Sequence, residues 1–179
     1  AELFTKTTLV TDEVIDEIEN LKELAPVHNH GHALALWACK KTMPNIPQVV
    51  VFDTAFHQTI PQKAFMYGFP YEDYEQYHVR KYGFHGTSHR FVTAKLAEVM
   101  GKDLKDLKVV SCHLGNGSSI TAVKGGESID TTMGFTPLDG VLMGTRCGAV
   151  DPSAVTYVAG KHGFHVADMD NYMNKKSGM

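Results

Sequence analysis

An aspartate at the end of an apolar run is the first residue of this sequence whose type and position suggest a chemical role. Asp53 directly follows residues 48–52 (QVVVF), which have the length and composition of a buried strand. Open α/β sheets bind their ligands at the carboxyl ends of such strands. We therefore interpret Asp53 as a carboxylate that faces a ligand; the alternative is an aspartate that only caps the next turn.

A histidine framed by glycines is the second candidate. In the segment KYGFHGTSH (81–89), glycines flank Phe84 and His85, so the backbone there can bend sharply and present the imidazole. At the entry to a helix, His85 can be a capping group, a proton donor or a cationic hydrogen-bond donor to phosphate. We interpret His89 as structural, because it falls within the first turn of the helix that Thr87 or Ser88 would cap.

A glycine-rich turn between two strand-like runs is the third candidate. Residues 107–114 and 118–123 flank the tripeptide Gly-Asn-Gly. Asn-Gly between two such runs predicts a tight hairpin, because both residues tolerate positive φ angles. Glycines also leave backbone N–H groups open to a phosphate, and His113, Ser118 and Ser119 add side-chain donors. The alternative is a plain hairpin without a ligand.

An arginine in a second glycine-rich loop completes the set. Between residues 133 and 148 the charged side chains are those of Asp139 and Arg146. A guanidinium framed by glycines is typical of oxyanion or phosphate binding, where its planar fork meets two oxygens; the alternative is a surface salt bridge. A phosphate-binding turn, a carboxylate, an imidazole and an arginine together suit phosphoryl transfer.

The elements that would position these groups include both helices and strands, so we expect an α/β fold. Hydrophobic spacing and capping residues predict helices over 12–24, 31–42, about 88–100, 152–160 and 166–175. Apolar runs and alternation predict strands over 3–10, 48–52, 107–114 and 118–123, continued as a β meander over 127–132. Residues 60–82 show little periodicity and predict a long irregular segment, which is usually functional or a cover.

Composition narrows the class of protein. At 179 residues the chain is long enough for one domain or two small lobes, and its net charge of −3 gives no basis for general nucleic-acid binding. Three widely spaced cysteines argue against a disulfide framework and fit a reducing cytoplasm. The sequence has no apolar run of the about 18 residues that a membrane span requires. His28, His30 and His32 share one loop without a nearby carboxylate or cysteine, so we assign no metal ligand here.

Four segments together resemble the acetate kinase family, in the order found there. They are VVVFDTAFHQT (49–59), KYGFHGTSH (81–89), SCHLGNGSS (111–119) and GFTPLDGVLMGTRCGAVDP (134–152). The resemblance implies ribonuclease-H-like (actin-like ATPase) lobes around a cleft, here incomplete. Residues 1–55 would end the N-terminal lobe and residues 56–179 would begin the C-terminal, nucleotide-binding lobe. It also implies Mg²⁺ with ATP as donor, acetate as acceptor, and a cytoplasmic homodimer that serves acetyl-CoA biosynthesis, with no nucleic-acid or membrane partner.

The resemblance further implies a role for each candidate residue. Asp53 corresponds to an active-site aspartate of the family, and His85 and Arg146 correspond to the two residues credited with stabilising the transition state. The ATP phosphate-binding loop corresponds to His113, Leu114, Gly115, Asn116 and Gly117. The pocket for the acetate methyl group corresponds to Phe84, Pro137 and Val27, with His28 close to the active site.

Several family motifs are absent from this sequence. These are an N-terminal Asn-x-Gly-Ser-Ser-Ser phosphate motif, an arginine-containing segment before Glu2, a C-terminal glycine-rich adenine-binding motif and a late glutamate associated with Mg²⁺. We therefore expect a piece of a larger protein, with little kinase activity from this polypeptide alone. The alternative functions are a propionate or butyrate kinase, which would share these motifs, and an inactive or actin-like nucleotide-binding fragment. The segments around His85 and Arg146 favour an enzyme.

Overall fold

The chain divides into two compact units. The computed structural model describes residues 3–21 and 29–179. One unit is Lys6–Phe52, and the other contains Asp53–Met179 together with the first few residues of the chain. Every predicted site residue that the structure describes belongs to the larger unit. Among the described residues, no helix is both long enough and apolar enough to cross a membrane.

The smaller unit contains two helices and a two-stranded antiparallel sheet. In chain order its elements are β1 (Thr8–Leu9), α1 (Asp12–Asn20), α2 (Asn29–Thr42) and β2 (Val49–Val50). The side chain of Thr11 accepts a hydrogen bond from the Val14 backbone N–H, which confirms the predicted start of α1. The predicted strands are too long: β1 and β2 have two residues each and, within residues 3–21 and 29–179, each pairs only with the other. The prediction that 48–52 is buried is therefore wrong, since Val49 is 60% exposed.

The larger unit begins with short helical pieces. A 3₁₀ turn (Ala55–Thr59) is followed by α3 (Gln62–Phe65) and α4 (Tyr71–Tyr77). The prediction of a long irregular segment is thus wrong. Pro61 and Pro70 immediately precede α3 and α4, where a missing N–H costs nothing because the first N–H groups of a helix have no partner within it. Next comes α5 (Gly86–Met100), which ends at Gly101 in the left-handed conformation.

An antiparallel β meander forms the centre of the larger unit, as the sequence predicted. Its strands are β3 (Lys108–Leu114), β4 (Ser118–Lys124) and β5 (Glu127–Thr131), in the order β3-β4-β5. The pairs Ser111↔Thr121 and Thr121↔Thr131 set the register. The buried side of this sheet is rich in hydroxyl groups, from Ser111, Ser119, Thr121, Ser128 and Thr131. Helix α5 packs against β3.

Two helices follow the second glycine-rich loop. They are α6 (Pro152–His162) and α7 (Val166–Lys175). The carboxylate of Asp151 accepts a hydrogen bond from the backbone N–H of Ser153 at 2.8 Å, and proline occupies the first helical position. Helix α6 therefore begins where its capping residues predicted, and α7 has the predicted bounds of 166–175.

Candidate functional site

Asp53 is bound to the turn that carries His85. The backbone N–H of His85 donates to Asp53 Oδ2 at 2.9 Å, and the N–H of Gly86 donates to the Asp53 carbonyl oxygen at 2.9 Å. His85 itself is left-handed (φ 58°, ψ 24°), which is uncommon for a residue other than glycine. A Cβ at position 86 would collide with the Asp53 carbonyl, so only glycine fits there. Helix α5 begins at Gly86, so the prediction that Thr87 or Ser88 caps it is wrong.

His85 and Arg146 converge on the backbone of Gly117. A Cβ placed on Gly117 would lie 3.2 Å from Arg146 Nη1 and 3.6 Å from His85 Nε2. The uncovered backbone of one turn is therefore flanked by an imidazole nitrogen and a guanidinium nitrogen. Such an arrangement suits an anion, because both side chains can donate hydrogen bonds and the guanidinium carries a full positive charge.

The turn between β3 and β4 is the predicted tripeptide Gly-Asn-Gly. Leu114 pairs with Ser118, so the loop has three residues, and the Ser118 hydroxyl donates to the Gly115 carbonyl at 3.0 Å. Asn116 and Gly117 are not among the described residues with positive φ. The tolerance of these two residues for positive φ is therefore not used in this three-residue loop. Glycine at position 117 serves the close approach of Arg146 instead.

The second glycine-rich loop holds Arg146 in place. Arg146 Nη1 donates to the Pro137 carbonyl oxygen at 3.0 Å and lies 3.6 Å from the sulfur of Met143. No carboxylate among the described residues pairs with Arg146, so the surface salt bridge is not observed there. The Asn116 side chain lies against Gly144, where a Cβ would be 2.5 Å from Asn116 Oδ1. The two glycine-rich loops are thus in contact.

Pro137 lies on a loop segment anchored by Tyr67. The phenol oxygen of Tyr67 accepts a hydrogen bond from the Phe135 backbone N–H at 2.8 Å, and it lies 3.5 Å from Asp139 Oδ2. Burial raises the pKa of Tyr67 to about 12, so the phenol stays protonated at neutral pH. Sequence reasoning had not singled out Tyr67, because nothing in the local pattern links residue 67 to residue 135.

Imidazole rings cluster around His85. The His113 ring stacks on His85 with a centroid distance of 3.9 Å, and His113 Nδ1 lies 2.9 Å from the Ser88 hydroxyl. Burial is the main cause that lowers the pKa of His85, and the neighbouring His113 and Arg146 lower it further while Asp53 opposes them. His85 is therefore neutral at neutral pH and can offer a single N–H, and the positive charge of the pair belongs to Arg146.

His57 is a further residue of this region that sequence reasoning missed. It is fully buried, and its Nε2 donates to the Phe84 carbonyl oxygen at 2.8 Å. Its Nδ1 lies 2.9 Å from the Ser128 hydroxyl. Because a carbonyl only accepts, His57 carries its proton on Nε2 and Nδ1 accepts from Ser128. The backbone of Phe84, beside His85, is thereby fixed. The available signal was its place in the VVVFDTAFHQT segment.

The remaining predicted residues are placed as follows. Leu114, Gly115 and Asn116 lie at the exposed end of the β3–β4 hairpin. Phe84 and Pro137 each adjoin the site through a backbone carbonyl, one bonded to His57 and the other to Arg146. Val27 and His28 lie outside the described residues. Within the parts of the chain that are described, no group of three or more His, Cys, Asp or Glu residues is arranged to hold a metal ion.

Comparison with known proteins identifies the family. The model of the acetokinase family matches residues 1–179. The chain belongs to this family. It is 57% identical over 178 residues to acetate kinase 2 of Clostridium perfringens and 55% identical over 178 residues to the acetate kinase of Bacillus subtilis. In each case 99% of this chain and 45% of the relative are covered. The chain therefore spans less than half the length of these curated relatives.

Solved structures of the family share the fold. The acetate kinase of Porphyromonas gingivalis matches with a TM-score of 0.94 at 43% identity, over 99% of this chain and 44% of that one. A propionate kinase from Francisella tularensis matches with the same TM-score of 0.94 at 44% identity, and the match covers 99% of this chain and 46% of that one. The two units are thus parts of a ribonuclease-H-like, actin-like ATPase fold, as the sequence predicted.

Proposed function

We propose that the protein carrying this chain transfers the γ-phosphoryl group of ATP to acetate, reversibly, to give acetyl phosphate. The observation that carries the proposal is the convergence of His85 Nε2 and Arg146 Nη1 on the bare backbone of Gly117. Family membership supplies the reaction, and the site supplies groups that suit it. An anionic acceptor must approach an anionic phosphoryl group, so the main demand is for positive charge and hydrogen-bond donors.

The proposed roles follow from the ionisation of the acceptor. A carboxylate with a pKa of about 4 is ionised at neutral pH and needs no general base. Asp53 therefore orients the acceptor or a metal ion and does not remove a proton. Arg146 neutralises charge on the transferring phosphoryl group, and the N–H of neutral His85 donates to one of its oxygens. Residues His113–Gly117 would cradle the ATP phosphates, and Phe84, Pro137, Val27 and His28 would line the acceptor pocket.

The donor set is compatible with Mg²⁺ delivered as its ATP complex. Mg²⁺ in nucleotide sites is commonly held by one or two carboxylates, with phosphate oxygens and waters completing the octahedron. Asp53 uses Oδ2 to accept from His85, and its carboxylate is the group of this chain that would hold the ion. The ion would supply charge neutralisation on the phosphates, while the residues of this chain hold the acceptor and the oxygens in place.

The acceptor and the completeness of the enzyme are the two open choices. The solved acetate kinase and propionate kinase match equally well, each with a TM-score of 0.94, so propionate and butyrate are the alternative acceptors. An inactive nucleotide-binding fragment is the alternative for this polypeptide alone, since it covers 45% of its relatives. We further propose a cytoplasmic homodimer that acts toward acetyl-CoA biosynthesis, with residues 1–55 and 56–179 in different lobes; light scattering tests the dimer.

The test is acyl phosphate formation, trapped as the hydroxamate, by the complete gene product and by this chain. Acetate is compared with propionate and butyrate at saturating ATP. Arg146→Ala should lower kcat by about 10²–10³, the loss seen for a key oxyanion donor. Arg146→Lys should retain only part of the wild-type kcat, because lysine keeps the positive charge but lacks the planar fork of the guanidinium. Arg90→Ala, which removes an exposed arginine of α5, is the matched control. An unchanged kcat in Arg146→Ala would refute the assignment.

A further inference from the structure

A continuous line of hydrogen bonds leads from the interior of the β sheet to His85. The Ser119 hydroxyl lies 2.9 Å from His85 Nδ1 and 2.8 Å from His89 Nε2. The other nitrogen of His89, Nδ1, lies 2.9 Å from the Ser111 hydroxyl. Ser119 and His89 are 0% exposed and Ser111 is 5% exposed. The line therefore runs from Ser111 on β3 through α5 and β4 to the candidate site.

Counting protons gives this line a direction. Each hydroxyl has one proton to donate, and each neutral imidazole has one N–H. If Ser111 donates to His89 Nδ1, His89 donates from Nε2 to Ser119, and Ser119 donates to His85 Nδ1. The buried donors of Ser111, His89 and Ser119 are then all satisfied, and the proton of His85 sits on Nε2, which faces the candidate site.

Other arrangements leave a donor without an acceptor. In the reversed line, His89 Nδ1–H points at Ser111, and the Ser111 proton has no acceptor among the residues that the structure describes. If Ser119 accepts from both imidazoles, its own proton is left over in the same way. A buried donor without a partner is unfavourable, because it loses its hydrogen bond to water and gains none in the protein. The direction from Ser111 to His85 is therefore favoured.

We infer that Ser119, His89 and Ser111 are positioning residues that hold His85 in the Nε2–H tautomer. This inference rests on the proposed function, in which His85 Nε2–H donates to an oxygen of the transferring phosphoryl group beside Gly117 and Arg146. The opposite tautomer would present a lone pair to that oxygen and would repel it. Ser119 thus acts through His85 and does not itself touch the substrate.

The protonation state of His89 agrees with the inferred direction of the hydrogen bonds, in which His89 has one proton to donate. Burial lowers the pKa of His89 to about 4, and the nearby imidazoles of His57, His85 and His113 act in the same direction, with Asp53 opposing. At neutral pH His89 therefore carries one proton, which it can donate from only one nitrogen.

Ser119→Ala tests the inference against a matched control. Ser128→Ala removes an equally buried serine hydroxyl, 2.9 Å from His57 Nδ1, in the same sheet. His57 keeps its Nε2 proton in that variant, because the Phe84 carbonyl still accepts from it. In the complete gene product, long-range ¹H–¹⁵N spectra should show His85 as Nε2–H in wild type and in Ser128→Ala. In Ser119→Ala both tautomers of His85 should be populated.

The kinetic readout follows the same pattern. Ser119→Ala should lower kcat by about 10- to 100-fold, by analogy with the loss of a partner that orients a metal-ligating imidazole. The KM for the carboxylate should change little, because the lost contact serves the transition state. Ser128→Ala should keep nearly the wild-type kcat. Equal losses in the two serine variants, or a pure Nε2–H tautomer of His85 in Ser119→Ala, would overturn the inference.

A second pair of variants separates donation from filling space. In His89→Gln the amide nitrogen replaces Nε2 and can still donate to Ser119, whereas in His89→Asn the amide reaches only the Ser111 side. We expect His89→Gln to keep the Nε2–H tautomer of His85 and most of kcat, and His89→Asn to lose both. The reverse order would contradict the inference. The tautomer is read without turnover, so a His85→Ala enzyme with wild-type kcat would refute the proposed function separately.

Discussion

The carboxylate of Asp53 holds the backbone of His85, with 2.9 Å between Asp53 Oδ2 and the His85 nitrogen. His85 is left-handed at φ 58°, a conformation that costs a residue with a Cβ roughly 1–2 kcal/mol. A charge-assisted hydrogen bond is strong enough to offset that cost. One carboxylate therefore both stabilises the turn before α5 and stands beside the proposed phosphoryl site.

Asp53→Asn and Asp53→Ala should separate these two effects. The carboxamide oxygen of Asn can still accept from the His85 N–H but carries no charge. We expect Asp53→Asn to lose about 10²-fold or more in kcat with a small loss of stability. Asp53→Ala should also lower the free energy of unfolding by about 1.5–3 kcal/mol, the contribution of a hydrogen bond to a charged group. Kinetics and urea denaturation measure the two effects, and a wild-type kcat in Asp53→Asn would limit Asp53 to positioning His85.

Gly117→Ala should fill the space between His85 and Arg146. The new Cβ would lie 3.2 Å from Arg146 Nη1, so the guanidinium must shift. Because φ at residue 117 is not positive, the backbone tolerates alanine and the melting temperature should stay near that of wild type. The guanidinium must give by a few tenths of an ångström, so we expect kcat to fall by less than the roughly 10²-fold that a displacement of about 1 Å at a reacting centre costs.

Gly160→Ala is the control for that variant. Nothing lies within 4 Å of a Cβ at this position in α6, and alanine stabilises a helix by roughly 0.5–1 kcal/mol relative to glycine. Activity should be unchanged and the melting temperature should rise slightly. Similar kinetic losses in both glycine variants would show that the effect of Gly117→Ala is not local to the site.

Tyr67→Phe should loosen the loop that carries Pro137. The variant leaves the half-buried N–H of Phe135 without its partner at 2.8 Å, which costs about 1 kcal/mol of stability. Arg146 donates to the Pro137 carbonyl on the same loop, so kcat should fall as well. Tyr157→Phe changes a tyrosine that is 66% exposed on α6 and should alter neither quantity. Thermal melting and the acyl phosphate assay test both variants.

Stability should fall as the pH drops below neutral. Burial lowers the pKa of His57, His85 and His89, and that of His89 falls from 6.5 to about 4. The unfolded chain therefore binds protons that the folded chain does not, and stability is complete above about pH 6.5. Between pH 6.5 and 4 the shifted pKa of His89 alone should lower the free energy of unfolding by at most about 3 kcal/mol. Urea denaturation at pH 7.5 and pH 5 measures the loss, and His89→Gln should show a smaller one. Identical pH dependence in both proteins would contradict this origin.

Local signals account for what the sequence predicted well. The start of α6 depends on Asp151 and Pro152, and the β meander depends on alternation over a few residues, so both were visible without the fold. The exposure of Val49 was not visible in the sequence, because it depends on how many strands pair with β2. The contacts of His57 with Ser128 and of His89 with Ser119 join residues 71 and 30 positions apart. No periodicity or motif encodes such pairs, so His57 had no visible role and His89 could be interpreted only as structural.

The hydroxyl-lined interior of the β3–β4–β5 sheet has a consequence for strand alignment. Sliding β3 along β4 by two residues keeps each side chain on its own face, so apolar burial discriminates poorly against the slipped pairing. The native pairing Ser111↔Thr121 sets Ser111 and Ser119 at the two ring nitrogens of His89. In a slipped sheet those buried polar groups would lose their hydrogen-bond partners. The contacts of His89 thus favour the native register of β3 and β4. The same contacts that orient the proton of His85 would be lost in a misaligned hairpin, which would therefore be less stable.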